Sequence, residues 1–451
     1  MIILLKNVII KKIVRTEIDR MEKLSANQLI DFLYESPTTF HHVLKIQSTL
    51  DENGYVELKE SEKWAFKKSG KYYLKKNDSA IIAFEIGTGN IEEHGMRFIG
   101  AHTDSPSFKV KSSSEMVAEG TYLKLNTEMY GGGIAYTWFD RPLALAGKVT
   151  LRSENLFSPE IKLINMNKPL LTIPSVAIHL NRTANEKFAV NKQKDTLPLM
   201  GLVNNQFEKD GYLLKVIAKE LGINVEEILG FDLNLYEYEK GSLVGINEEF
   251  ISCGDLDDKW MTYSGLMALI ESKSIEASKM LICVDNEEIG SLTAQGANSN
   301  FILNVIERIM LALGKDREEM HRALSKSVMI SADLAHAVHP NSGELHDPTN
   351  RPVLGKGPVL KVAAAGSYST DSYGMALFKG LCESAQIPYQ VLYNRSDVRG
   401  GTTIGPITSS LLTIPVIDMG APLLAMHSIR ELASVKDHEL TLNLFKTFFN
   451  A

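Results

Sequence analysis

The stretch KMLICVDNEEIGS, residues 279–291, decides how this chain folds. Met280 to Val284 is a short apolar run, β-branched at Ile282 and Val284. It is too short for a typical helix and suits a strand buried on both faces. The run stops at Asp285-Asn286-Glu287-Glu288, with Gly290 following. Adjacent carboxylates at the end of a buried strand repel one another. A cation relieves that repulsion and leaves one carboxylate to handle a proton. For the acidic pair alone the competing reading is a solvated turn, because such residues are mostly exposed. What lies at the other strand ends decides between them.

Outward from this strand, apolar runs and helical periodicity alternate. RFIGA (97–101) is a second buried strand, ending on His102-Thr103-Asp104, and shorter strands at 72–74 and 80–84 precede it. Residues 26–50 carry helical periodicity broken at Ser36-Pro37. Downstream, helices are predicted at 260–270, 301–313 and 371–385, and strands at 327–332 (ending on Asp333), 390–393 and 414–418. Gly400 and Gly401 open a further helix near Thr408, and His427 lies just beyond the last strand. This alternation argues an α/β core with a largely parallel sheet. Residues 112–247 have another texture: short β-like runs at 124–125, 148–151, 161–164 and 170–173 are separated by Gly, Pro, Asn and Ser. With a helical patch at 211–221, they read as an inserted β-rich domain. The α/β body is then 21–111 with 248–451, and residues 1–20 form an N-terminal extension.

The chain has 451 residues, 44% hydrophobic and 23% charged, with net charge −7. That suits a soluble protein of two or three domains and gives no basic stripe for nucleic acid. Lys6, Lys11 and Lys12 interrupt the apolar start at 1–14, no small-residue cleavage site follows, and a membrane span needs about 20 apolar residues. No membrane partner is expected, Met21 is an alternative start, and the cytoplasm is the default location. Cys253, Cys283 and Cys382 lack metal-ligand spacing and read as reduced thiols.

Just past the strand ends lie His102 and Asp104, Asp257 and Asp258, Glu287 and Glu288, Asp333, and His427. In open α/β sheets ligands bind outside the carboxyl ends of the strands, so these side chains can converge. Two histidines with several carboxylates suit zinc, manganese or cobalt. A set of this size with one bridging member fits two ions roughly 3.5–4 Å apart. His102-x-Asp104 fits a metal-binding histidine whose other ring nitrogen is held by a carboxylate, or simply a structural hydrogen-bonded pair. His336, His339 and His346 read as turn or core histidines rather than ligands. The Gly400–Thr403 turn lacks the lysine of a P-loop, so a tight turn or oxyanion support is preferred to a phosphate cradle.

The ordered set AHTDSPSFKVK (101–111), YGGGIAYTWFDRPLALAGKV (130–149), IPSVAIHLNR (173–182), DLDD (255–258), DNEEIGS (285–291), SADLAHAVHPN (331–341), GTTIGPI (401–407) and MHSIRE (426–431) resembles the aspartyl-aminopeptidase family of dinuclear zinc metallopeptidases, in its bacterial type. The resemblance runs from about Leu29 to the C-terminus. It implies an α/β metallopeptidase domain interrupted by a β-rich dimerisation domain, and dodecamers built from dimers. It implies His102, Asp257, Glu288, Asp333 and His427 as ligands of two divalent ions, zinc first with cobalt or manganese as alternatives, and Asp257 bridging. Asp104 then orients His102 and Glu287 is the general acid/base. His179, in the inserted domain, reaches a neighbouring subunit's site, and Lys361 and Tyr368 line the substrate pocket.

Two positions depart from the family pattern. Pro142 replaces an acidic residue after WFDR, and DVRGG (397–401) replaces the Asp-x-Pro-Cys-Gly of acidic-specific members. A strict preference for N-terminal Asp or Glu is therefore not implied. The expected activity is release of N-terminal residues from peptides with a free N-terminus. The rivals are a dinuclear deacylase or carboxypeptidase, and a non-catalytic assembly or cargo protein on the same scaffold. A scaffold has no need of Glu287 beside a ligand.

Overall fold

A computed structural model describes residues 2–203 and 211–451, with side chains described from Glu17 onward. Its centre is a nine-stranded sheet in the order Val56–Glu57, Lys71–Lys76, Ala80–Glu85, Ser278–Val284, Met96–His102, Val328–Ala332, Val416–Gly420, Val359–Lys361 and Gln390–Leu392. The four strands from Ser278–Val284 to Val416–Gly420 run parallel, as expected of the core. Antiparallel junctions flank them, at Ala80–Glu85 on one side and Val359–Lys361 on the other.

The Ser278–Val284 strand is buried at every position because both faces are covered. Met280, Ile282 and Val284 pack with Phe301, Ile306 and Ile309, whereas Leu281 and Cys283 pack on the other side with Trp260, Leu266 and Phe445. Each such aliphatic side chain contributes about 1.5–3 kcal/mol, a reserve against which the charged strand ends are held. The helix predicted at 260–270 spans Leu256–Glu271, and the Asp257–Asp258 peptide at its start is cis and non-helical. The predicted break at Ser36-Pro37 separates helices Ile2–Tyr34 and Thr39–Glu52, with Thr38 as N-cap. The first helix continues unbroken through the segment read as an extension. No described helix is long and apolar enough to cross a membrane. All three cysteines are buried and free.

A second, antiparallel sheet of six strands orders as Glu160–Asn165, Leu143–Leu151, Ile228–Glu237, Ser107–Ala118, Tyr122–Tyr130 and Leu199–Leu202. Its own core gathers Phe108, Trp138 and Leu145 against Leu213 and Ile217 of the Tyr212–Leu221 helix. The run at 170–173 is not a strand: Leu171, Thr172 and Ile173 make only isolated bridges. A third sheet was not anticipated. Its five short strands are Ser242–Val244, Phe250–Cys253, Glu431–Ser434, Pro422–Leu424 and Ala335–His336. It matters for function, because the loops bearing Asp257, Asp333 and His427 all hang from it.

Candidate metal centre

His102, Asp257, Glu287, Glu288, Asp333 and His427 line one cavity of about 260 Å³, together with Lys361, Tyr368, Gly401 and Thr402. His102 ends a central strand, and Glu287 and Glu288 occupy a short turn after the Ser278–Val284 strand. Asp257 and His427 approach from loops of the third sheet. Asn286 (φ +62°), Asp255 (φ +57°) and His427 (φ +66°) are all left-handed. Such non-glycine conformations cost free energy and persist where surrounding structure over-determines them.

Both histidines are held by one ring nitrogen and present the other. His102 Nδ1 lies 3.0 Å from the Asp104 carbonyl oxygen and 3.4 Å from Asp104 Oδ1. His427 Nδ1 faces the Gly132 carbonyl at 3.3 Å. Donation from Nδ1 leaves Nε2 as the ligand atom. His102 Nε2 is 3.7 Å from Asp257 Oδ1, while His427 Nε2 is 3.4 Å from Asp257 Oδ2 and 3.2 Å from Glu288 Oε1. Asp257 therefore turns one oxygen toward each histidine. Gly131, at φ +75°, sits so close that an added Cβ would lie 3.2 Å from the Glu288 Cβ.

Behind these residues lies a brace of carboxylates. Asp104 accepts from the Glu287 and Glu288 amides, both at 3.2 Å, and from the Tyr130 hydroxyl at 2.6 Å. The fully buried Glu431 accepts from the Asp257 amide at 3.0 Å and the His427 amide at 2.8 Å. Asp258 accepts from the His102 amide at 3.2 Å. Neither Glu431 nor Tyr130 was singled out in the sequence, although both lie within quoted motifs. Nothing local marks them, since their partners are distant backbone amides and one buried carboxylate.

The electrostatics are those of crowded buried charge. Burial, reinforced by Asp333, Glu288 and Asp104 and opposed by His102, pushes Glu287 up to about 8. Burial works against a charged His427, but hydrogen bonds to Asp257 and Glu288 raise it to about 11. Burial likewise opposes a charged His102, yet Asp258, Asp104 and Glu287 hold it well above the usual imidazole range. Asp257 Oδ1 is buried without a hydrogen-bond donor, a costly state for a carboxylate unless a cation meets it. Ligand atoms of Asp257, Glu288 and His427 lie within 4.8 Å of one another, as do those of His102, Glu287 and Glu288. This donor set fits zinc.

Asp333 reaches the cavity, but its Oδ1 accepts from Lys361 Nζ at 2.7 Å. Gly420 makes room for that loop, since a Cβ there would meet the Asp333 carbonyl oxygen at 1.9 Å. Tyr368 lies beside Lys361, whose Nζ is 5.5 Å from the ring centroid. His179 is exposed and outside the cavity lining within a single chain. His336 lines the cavity edge, whereas His339 and His346 lie in an adjoining one, and none belongs to a ligand group among the described residues. The Gly400–Thr403 turn ends in Thr403, the N-cap of the Ile404–Leu412 helix.

The family model described as aminopeptidase I zinc metalloprotease (M18) matches residues 32–449. A probable M18 family aminopeptidase 2 of Clostridium novyi is 56% identical over 425 residues, spanning 94% of this chain and 98% of that protein. Its counterpart in Clostridium acetobutylicum is 53% identical with the same coverage. Among solved structures, the M18 aminopeptidase of Thermotoga maritima matches with a TM-score of 0.85 at 26% identity, over 96% of this chain and 97% of that one. The S. cerevisiae mApe1 dodecamer matches at 0.83 and 29%, over 95% and 97%. Fold and site together define a metal-dependent aminopeptidase, an α/β metallopeptidase domain carrying an inserted sheet domain. The chain belongs to the M18 family of zinc aminopeptidases.

Proposed function

We propose that the site holds two divalent ions, zinc first, on His102, Asp257, Glu288, Asp333 and His427, with Asp257 bridging. The observation that carries this is the division of Asp257, one carboxylate oxygen facing His102 and the other facing His427. When bound, the ions supply Lewis acidity at the scissile carbonyl and lower the pKa of a water. Glu287, half-buried and clear of the His427 cluster, takes the water's proton and returns it to the leaving amine. Asp104 and the Gly132 carbonyl keep Nε2 of each histidine aimed inward. Lys361 and Tyr368 line the pocket for the N-terminal side chain, and Lys361 offers a cation to an acidic one. Whether acidic residues are preferred turns on the 397–401 loop.

The inserted domain, 112–247, is read as the dimerisation unit, and His179 as its contribution to a neighbouring subunit's site, where its imidazole can donate to the developing oxyanion. The dodecameric mApe1 neighbour supports assembly of dimers into a dodecamer. The catalytic body is 21–111 with 248–451, and the cytoplasm is the proposed location. Metal analysis with a matched substrate pair tests the reading. The expected result is two zinc ions per chain and cleavage of aminoacyl substrates with a free α-amine but not of their N-acetylated forms. One ion per chain, or efficient cleavage of the acetylated forms, overturns it, and the latter indicates a deacylase.

A further inference from the structure

We propose that Tyr130, the last residue of the inserted sheet's Tyr122–Tyr130 strand, is a positioning residue for the metal centre. Its hydroxyl holds Asp104, and through Asp104 it fixes His102 and the Glu287-Glu288 turn. The proposal rests on the reading of His102 as a metal ligand.

The geometry is a chain of hydrogen bonds in which each link has one role. Tyr130 Oη donates to Asp104 Oδ2 at 2.6 Å and accepts from Asn286 Nδ2 at 2.9 Å. Asn286 is fixed in turn, because its Oδ1 accepts from Thr293 Oγ1 at 2.8 Å and Gln295 Nε2 at 2.9 Å. The Tyr130 hydroxyl is thus clamped between a donor and an acceptor, with its proton directed at Asp104. Asp104 spends its remaining capacity on two backbone amides and on His102. A carboxylate meeting four groups at once joins the histidine strand end to the acidic turn. Tyr130 lies on its far side.

Tyr130 does not touch the reacting atoms. It lines a separate small cavity of about 80 Å³, bounded by the first two helices and the inserted sheet, in which His102, Asp257, Glu288 and His427 have no part. Lys109 Nζ sits 4.4 Å from the centre of its ring, holding the ring without involving the hydroxyl. Burial and the nearby Asp104 and Asp285 charges raise the phenol well above its ordinary range, so it stays a donor. Outer partners of metal-binding histidines act by fixing ring orientation, and their loss typically weakens metal binding about 10–100-fold. The inserted sheet therefore tunes the metal centre of its own chain.

The test is zinc competition against a chromogenic chelator, using the full chain stripped of metal. Tyr130→Phe is expected to weaken zinc binding by about tenfold or more, and Lys109→Ala to leave it unchanged. His102→Ala, the control for the underlying reading, is expected to weaken it further. Unchanged zinc affinity in Tyr130→Phe beside a clear loss in His102→Ala overturns the proposal and leaves the ligand reading standing, even if the tyrosine variant melts earlier. Unchanged affinity in His102→Ala overturns the ligand reading itself. Should Tyr130→Phe not fold, Asn286→Gly, which tolerates the left-handed backbone of that turn, frees the hydroxyl from one side. A smaller but measurable loss of affinity is then expected, and none at all sinks the proposal.

Discussion

Lys361 Nζ lies 2.7 Å from Asp333 Oδ1, and both side chains are buried at the wall of the metal cavity. Without metal, each neutralises the other. Replacing one member of a buried pair leaves the other uncompensated, at a cost of about 3–5 kcal/mol. Lys361→Met should therefore lose about that much unfolding free energy in the metal-free protein. Zinc should restore much of it, because a bound ion replaces the lost lysine as partner of Asp333. Denaturant unfolding with and without zinc measures this. An equal loss in both states argues against Asp333 as a ligand.

Glu287→Gln removes the proton carrier but keeps size and shape. Loss of a positioned general acid/base costs about 10²–10⁴ in rate, and kcat should fall in that range. Zinc content should stay at the wild-type level, because Glu287 is not among the proposed ligands. Full turnover at full metal occupancy would remove Glu287 from the mechanism.

The legible and illegible parts of this chain differ for physical reasons. A strand covered on both faces is apolar at nearly every position, so 280–284 and 97–101 stand out and their ends mark the site. The small third sheet has strands of only two to four residues, too short to show any period. The inserted sheet's strand SFKVKSSSEMVA, Ser107–Ala118, has exposed and partly exposed positions throughout and a register shift between Val110 and Glu115, so its alternation is blurred. The run at 170–173 is the opposite case, apolar like a strand yet used for packing and bridges. Ligand residues could be collected because each follows a strand or precedes a helix. The Glu431 brace could not, because its acceptor role depends on amides at Asp257 and His427 brought together only by the third sheet.

Zinc uptake should release protons. In the metal-free chain His427 is raised to about 11 and His102 lies well above the imidazole range, so both are protonated at neutral pH. Zinc takes the neutral imidazole. Each histidine must therefore shed its proton on loading, and affinity should rise with pH through the neutral range. Calorimetry in buffers of different ionisation enthalpy reads the release directly, with about two protons per fully loaded chain from the histidines alone. No buffer dependence would mean that these histidines are neutral before zinc arrives, or are not ligands.

Acid sensitivity should come in part from His438, which does not line the metal cavity. Its ring is buried and its Nδ1 accepts from Trp260 Nε1 at 2.8 Å. Burial, with a minor contribution from Lys446, lowers its pKa to about 3. A histidine depressed on folding binds its proton more readily in the unfolded chain. Its contribution is therefore complete above about 6.5, the ordinary imidazole value, and is lost as pH falls toward 3. Between pH 7 and pH 5 the loss is about 2 kcal/mol, at 1.36 kcal/mol per pH unit below the unfolded value. His438→Gln cannot titrate, so the gap in unfolding free energy between wild type and variant should narrow by about 2 kcal/mol over that interval. Comparing the two proteins cancels the raised carboxylates of the metal site, which oppose the trend in both. A gap that stays constant from pH 7 to pH 5 would show that His438 can take a proton in the folded core.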